Sequence, residues 1–374
     1  MQFKKLELKN FRNYDQLTLD LPSGVSIFYG SNGNGKTNLL EALFLLIRGE
    51  SFRPAAKESF IGSKESTQIF VTIEKDGLEY LIKANISREE KSYYLNDKKI
   101  SPAKLAQLFP VVLFSPESLA SIKEGPEQRR QLLDDVVLMN SGSRDRIIYD
   151  YKRCLRTRNK ILRDFKTEKS SKSQSNALLN SLDPIFLPIA AELTVARLEA
   201  LNMLSKDLCT AANAVLDPLP VDISVDYLIS DYSAANWSRA DVISAMHKRG
   251  QELREQELLA GSSLIGPHRH DIRFLFAGKD SRFFCSQGQQ RALILSFKMA
   301  QILYHYRTYQ TYPFLLLDDV LSELDPSRRT NLIKFLKDIP SQIILTTTDL
   351  SFTTDFGDRS PKIFRVERGN VLRE

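Results

Sequence analysis

The sequence predicts an α/β domain that is interrupted by an inserted, mainly helical lobe and resumes after it. Three observations carry this reading. Over residues 1–116, short apolar runs bounded by turn residues alternate with an apolar helical stretch. Over 117–259, helical spacing with many charges replaces that texture. From 260 to 374 the alternation of strands and helices returns.

Phe3, Leu6 and Leu8, then Leu17, Leu19 and Leu21, alternate as two strands around the turn "NFRNYDQ". "GVSIFYG" is a buried strand ending at Gly30. "TNLLEALFLLIRG" is a buried helix with Gly49 as its C-cap. A hairpin turns at Asp76-Gly77, and a strand in "KSYYLNDKKIS" turns at Asn96-Asp97. "PVVLFSP" is a further strand.

In the lobe, "PEQRRQLLDDVVLMNSGSRDRIIYDYKRCLRTRNKILRDF" gives one or two amphipathic helices. "KTEKSSKSQSN" is a polar loop. The helix after it is interrupted at Pro184 and Pro188. "VDISVDYL" is a brief strand, and "SRADVISAMHKRGQELREQELLAGSS" a helix. There is no sustained heptad pattern and no internal repeat. The last part gives the strand "HDIRFLFAG", the helix "QQRALILSFKMA", the strand "YPFLLLDD", the helix "PSRRTNLIKFLKDI", the strand "SQIILTTT" and a closing hairpin.

The 374 residues are 42% hydrophobic and 26% charged, the texture of a soluble chain with two or three domains. No window approaches eighteen apolar residues, so no transmembrane helix is expected. The start, "MQFKKLELKNF", reads as a first strand and not as a signal peptide. Cys154, Cys209 and Cys285 form no CxxC pair and no disulfide framework, which fits a cytoplasmic protein. The 52 Lys+Arg against 46 Asp+Glu leave a net charge of +6, compatible with nucleic acid without demonstrating it.

Gly30-Ser31-Asn32-Gly33-Asn34-Gly35-Lys36-Thr37 fits the phosphate-binding loop G-x-x-x-x-G-K-[ST], with a strand before it and a helix after. Its backbone N–H groups cradle phosphate oxygens, Lys36 reaches the β- and γ-phosphates, and the Thr37 hydroxyl ligates Mg²⁺. Phe314–Asp319 delivers two carboxylates at a strand's C-terminal end, where open α/β sheets place ligands. Asp318 is placed to hold the metal and Asp319 to orient or deprotonate an attacking water. Asp325 before Pro326 caps the next helix. Ser286-Gln287-Gly288-Gln289-Gln290 opens a helix and offers a second anion site, one more than a single nucleotide needs.

A phosphate-binding loop, a metal-and-base strand and a Ser-x-Gly-Gln helix start occur together in ABC-type P-loop ATPases, which this chain resembles. In that family the signature loop, here Ser286, Gln287, Gly288 and Gln289, faces the γ-phosphate held by another subunit. The resemblance implies ATP sandwiched between two copies, with Lys36 and Asp319 as catalytic residues. The stretches "LKNFRNYDQLTLDLPSGVSIFYGSNGNGKTNLLEAL", "LFSPESLASIKEGPEQRRQLLD", "LIGPHRHDI", "SQGQQRALILSFKMAQ" and "LLLDDVLSELD" narrow this further. In this order and over essentially the whole chain they resemble the RecF family of bacterial recombination mediators, relatives of SMC-type ATPases without the long coiled coil. That resemblance implies ATP-dependent dimerisation on double-stranded DNA at gap junctions and slow, DNA-dependent ATP hydrolysis. It also implies a role with RecR and RecO in loading RecA during DNA repair. In "GPHRHD" the family carries an acidic residue where His270 stands, so no role is carried to that side chain.

Other signals stay open. His268 and His270 share a strand face, but no third and fourth metal ligands are evident; Arg269 beside bound phosphate fits better. Arg12 could touch a nucleotide phosphate or be a solvated turn arginine. Phe114 to Glu117 stand where ABC ATPases carry a coupling glutamine, and none is present. Thr346, Thr347 and Thr348 stand where many of them carry a γ-phosphate-sensing histidine. Arg129, Arg130, Lys152, Arg153, Arg156, Arg158, Lys160 and Arg163 form the densest basic run, either a solvated face or a DNA-phosphate groove. The rival reading is the ATPase subunit of a membrane transporter, which would keep that glutamine and histidine. A small-molecule kinase would leave the signature loop without a purpose.

Overall fold

The computed structural model describes residues 1–53, 58–61, 64–140, 146–215 and 222–374. The helical reading of 141–145 and the first residue of "VDISVDYL" lie outside the described residues. The chain divides into two compact units. One is Met1–Ala120, Asp207–Val221 and Cys285–Glu374; the other is Ser121–Lys206 and Asp222–Phe284. This differs from a lobe at 117–259 chiefly because Asp207–Val221 goes with the first unit and Ala260–Phe284 with the second. Its strand Asp271–Phe276 pairs antiparallel with Ile223–Ile229 along its whole length.

The strands, numbered along the chain, are β1 (Gln2–Phe11), β2 (Tyr14–Asp20), β3 (Val25–Tyr29), β4 (Ser66–Lys75), β5 (Leu78–Ser87), β6 (Lys91–Leu95), β7 (Lys98–Lys99) and β8 (Val111–Phe114). Beyond them lie β9 (Ile223–Ile229), β10 (Tyr232–Ser233), β11 (Asp271–Phe276), β12 (Lys279–Asp280), β13 (Phe314–Asp318), β14 (Ile343–Thr347), β15 (Lys362–Glu367) and β16 (Asn370–Arg373).

The first unit holds two sheets. One, in the order β2-β1-β4-β5-β6-β7, is antiparallel throughout. The other runs β16-β15-β3-β14-β13-β8 and is parallel except for the closing hairpin β15–β16. Its inner strands "FLLLD" and "IILTT" and its edge strand "VVLF" are buried at every position, as parallel strands covered on both faces must be.

The helix Lys36–Arg48 packs against strands of both sheets. That is why it is apolar nearly all round. Leu39, Leu40, Leu43, Leu45, Leu46 and Ile47 are all at most 1% exposed, each stabilising the core by roughly 1.5–3 kcal/mol relative to exposure. Gly49 ends it with φ 75° and its N–H on Leu45 O. The core continues through stacked Phe3–Phe314 and Phe28–Phe364 pairs. Strand order places the site: β14 lies between β3 and β13, so the C-terminal ends of all three are neighbours.

The second unit contains the helices Pro126–Met139, Ile147–Lys166 and Arg239–Ala260, most of the helix Lys172–Val215, and a sheet in the order β10-β9-β11-β12. The polar loop is shorter than its composition suggests. Ser171 accepts from Gln174 N while Gln174 Oε1 accepts from Ser171 N, a reciprocal cap that starts the helix at Lys172. Pro184 and Pro188 do not interrupt that helix; both lie inside it. They stand one turn apart, and Phe186, Leu187, Ala190 and Ala191 are buried around them, so tertiary burial outweighs the lost N–H groups. By length and composition alone this helix is long and apolar enough to cross a membrane, a test that core helices of globular proteins also pass. Here Arg197 in its middle is buried and forks onto Asp134 at 2.8 and 3.0 Å. A second buried fork joins Arg158 to Glu257 at 2.7 and 2.8 Å.

Candidate functional site

Three strand ends converge on one carboxylate. Asp318 closes β13 and is 5% exposed. Its Oδ1 accepts from the Thr37 hydroxyl at 2.8 Å and from the Thr346 hydroxyl at 2.7 Å. Thr346 Oγ1 in turn accepts the Asp319 N–H at 3.1 Å. The buried threonine near the end of β14 therefore ties the phosphate-loop helix to the acidic strand end. Thr347 closes a local turn with Asp349, and Thr348 is exposed. Burial raises the Asp318 pKa; hydrogen bonds from Thr346 and Thr37 oppose this, and the Glu117 carboxylate adds to the rise. Glu117 gets there because β8 runs parallel to β13, with Phe114 opposite Leu317.

Asp319 adopts φ 49°, a left-handed conformation rare outside glycine and best tolerated by Asp and Asn. The turn separates the two carboxylates: Asp318 stays in the sheet, while Asp319 is partly exposed and accepts from Ser322 Oγ at 2.9 Å.

The loop Gly30–Thr37 is suspended between two turns. On one side Asn13 donates to Asn34 O and accepts from Asn38 Nδ2, and the Tyr14 hydroxyl donates to Gly35 O. On the other, Asn34 Nδ2 donates to Val366 O, and Gly369 N donates to Asn34 O. Gly35 has φ 105°, and a Cβ there would collide with the Asn13 amide. Gly35 also begins the helix without any side-chain cap, so the first helical amides keep their donors for a ligand. Lys36, 6% exposed, donates to Gly30 O at 2.6 Å and Ser31 O at 3.0 Å. Burial lowers its pKa, and the Asp319 and Asp318 carboxylates push it back up. Uncapped amides, a buried cation and a carboxylate–hydroxyl pair suit a polyphosphate with a divalent cation.

Arg12 is neither solvated nor free for phosphate. It forks onto fully buried Glu41 at 3.0 and 2.6 Å and lies over Phe60, and Arg53 completes the cluster. Glu41 is held below the usual carboxylate range: burial opposes this, and Arg12, Ser51 and Arg53 outweigh it.

Ser286 caps the helix Gln287–Tyr309 through a reciprocal pair with Gln289. That helix packs on β8, three strands from β3, or roughly 14 Å across the sheet. Arg291 holds Glu323 at 2.8 Å, and Arg328 holds Asp325 at 2.7 Å. A Cβ on Gly288 would lie 2.7 Å from the Arg328 guanidinium, so any larger residue there would displace that side chain. Asp325 caps the helix Pro326–Lys337, as the sequence indicates.

Residues 2–371 match the family described as the RecF/RecN/SMC N-terminal domain. The DNA replication and repair protein RecF of Heliobacterium modesticaldum is 33% identical over 380 residues, covering 100% of this chain and 99% of that protein. Among solved structures, the recombination mediator protein RecF-ATPrS in the RecFOR pathway superposes with a TM-score of 0.85 at 28% identity, covering 100% of this chain and 98% of that one. The chain belongs to the RecF family. An Smc head bound to the C-winged helix domain of ScpA, at TM-score 0.55 and 15% identity over 100% of this chain and 98% of that one, shares the fold.

Two of the quoted stretches, "GPEQRR" and "GPHRHD", meet as a brace within the second unit. Arg129, 3% exposed, forks onto Asp271 at 2.9 Å, and Arg130 donates to His270 O at 2.6 Å. Both therefore leave the solvated basic run. His268 is no metal ligand: its Nδ1 faces the Tyr151 hydroxyl at 2.6 Å, its Nε2 the Ser263 carbonyl, and burial lowers its pKa to about 4. His270 is buried against Tyr227 and held neutral by burial, with Arg197 adding to the effect. Position 270 thus carries an uncharged, buried imidazole. Arg269 is exposed on a cavity of about 790 Å³ shared with Trp237 and Arg249.

Proposed function

We propose that this chain is an ATP-dependent, DNA-binding switch of recombinational repair. The observation that carries the reading is the convergence of Lys36, Thr37, Asp318 and Asp319 beside neighbouring strand ends, with the capped helix Gln287–Tyr309 packed on the far strand β8. The amides of Gly30–Thr37 would bind the phosphates, and Lys36 would exchange two carbonyls for phosphate oxygens. Thr37 and Asp318 would hold Mg²⁺, which neutralises phosphate charge when bound. Asp319 would orient the attacking water as ATP is hydrolysed to ADP and phosphate. Ser286–Gln289 would act on the nucleotide of a second copy, so that ATP closes a homodimer and hydrolysis reopens it. Turnover is slow, because the output is a bound state on double-stranded DNA at gap junctions. RecR and RecO act with it to load RecA.

Sedimentation with ATP, ADP or no nucleotide, with and without duplex DNA, tests this. A dimer is expected with ATP and a monomer with ADP; a monomer at saturating ATP with DNA present would sink the reading. Mg²⁺ binding should also depend on pH. A raised Asp318 pKa means the proton stays on to higher pH than on an ordinary aspartate, and the metal must displace it. In calorimetric titrations with ATP, Mg²⁺ affinity should begin to fall at higher pH than for an exposed aspartate. Glu117→Gln should move that fall to lower pH; identical profiles for both proteins would count against the assignment.

A further inference from the structure

The helix Ile147–Lys166 divides the basic run into two faces. Tyr151, Cys154, Arg158 and Leu162 point into the second unit and are buried. Arg153, Arg156, Lys160 and Arg163 point outward and are exposed. At steps of three and four residues they form one stripe, roughly 15 Å long at the helical rise. Exposed Tyr149 extends the stripe at its N-terminal end, with Arg146 over its ring.

Many arginines of this chain are paired, among them Arg12 with Glu41, Arg129 with Asp271, Arg158 with Glu257, Arg197 with Asp134 and Arg307 with Asp207. Among the described residues, none of the four stripe cations has an ion pair. Asp164 lies on the same face without pairing to any of them. Like charges one turn apart on a helix repel by a few tenths of a kcal/mol per pair. An external polyanion would relieve this.

We infer that this stripe is a phosphate-backbone contact for duplex DNA, an inference that rests on the DNA-binding reading above. Duplex DNA presents one phosphate per about 3.4 Å of each strand, so a 15 Å stripe spans about four phosphates of one strand. A straight helix matches a stiff duplex. Single-strand sites need successive aromatic platforms, and here only Tyr149 stands beside the cations. The contact reads charge and not sequence.

The test is the triple variant Arg153→Ala/Arg156→Ala/Lys160→Ala in the full chain. Fluorescence anisotropy with a labelled mixed-sequence duplex measures affinity across a salt series, with ATP present. The log–log salt slope should fall by about 2–3, each lost phosphate contact removing nearly one unit. Affinity at about 0.1 M salt should drop at least tenfold, on the order of what two or three lost contacts imply. ATP-dependent dimerisation without DNA should be unchanged. The all-lysine variant Arg153→Lys/Arg156→Lys should keep the wild-type slope, and Arg156→Ala alone should lower it by about one. An unchanged slope in the triple variant, while the wild type binds duplex, overturns the inference. So does polyglutamate competing as well as duplex, which would point to an acidic protein. A wild type that binds no duplex would instead sink the proposed function.

Discussion

Asp319→Asn is expected to stop ATP turnover while leaving an ATP-closed dimer intact and long-lived. The substitution is conservative in shape. Asparagine accepts the left-handed conformation that Asp319 adopts at φ 49°, and its Oδ1 can still accept from Ser322 Oγ. The Asp319 backbone N–H keeps its bond to Thr346, so the Asp318–Thr346–Thr37 chain is undisturbed. Only the basic oxygen is lost. General-base assistance is typically worth 10²–10⁴-fold, so single-turnover hydrolysis should slow by about that factor. Sedimentation should show the dimer persisting for as long as ATP remains. A variant that hydrolyses ATP normally would take the general-base role from Asp319; one that stays monomeric with saturating ATP would undo the switch itself.

Ser286→Arg should have the opposite signature. It places a bulky cation at the start of the helix Gln287–Tyr309 and removes the Ser286–Gln289 cap, at a cost of about 1 kcal/mol. The helix behind it is long and buried over residues such as Leu293, Phe297 and Ile302, so the damage stays local. ATP affinity per protomer, measured by equilibrium binding, should stay near the wild-type value because Lys36 and the loop amides are untouched. ATP-dependent dimerisation and hydrolysis should both be lost. Loss of ATP binding itself would mean that the loop serves its own protomer's nucleotide.

The parts of the site that could be read from the sequence are contiguous ones. Gly30–Thr37 and Phe314–Asp319 each carry their chemistry in one stretch, flanked by the strands that deliver it. Thr346 could not be assigned a role, because its bond to Asp318 depends on β14 inserting between β3 and β13. Arg129 and Asp271 are 142 positions apart and meet only in the folded lobe. The split of the basic run was within reach. Arg156 and Arg158 are two residues apart, which on a helix is nearly opposite faces, and a projection around the helix would have separated them. Pro184 and Pro188 misled because a helix-breaking propensity is local, while the burial that overrides it is not.

The suspension of the phosphate loop between Asn13 and the hairpin at Val366–Gly369 bears on how the chain is made. Asn34 and Val366 are separated by 332 positions, among the longest closures in the molecule. A ribosome therefore emits the loop some 332 residues before its second support. Chain entropy opposes such a distant closure until the sheet between has formed, so a nascent chain holds the nucleotide motif long before it can shape it. The loop can take up its two-sided support only after the hairpin at Val366–Gly369 has been made.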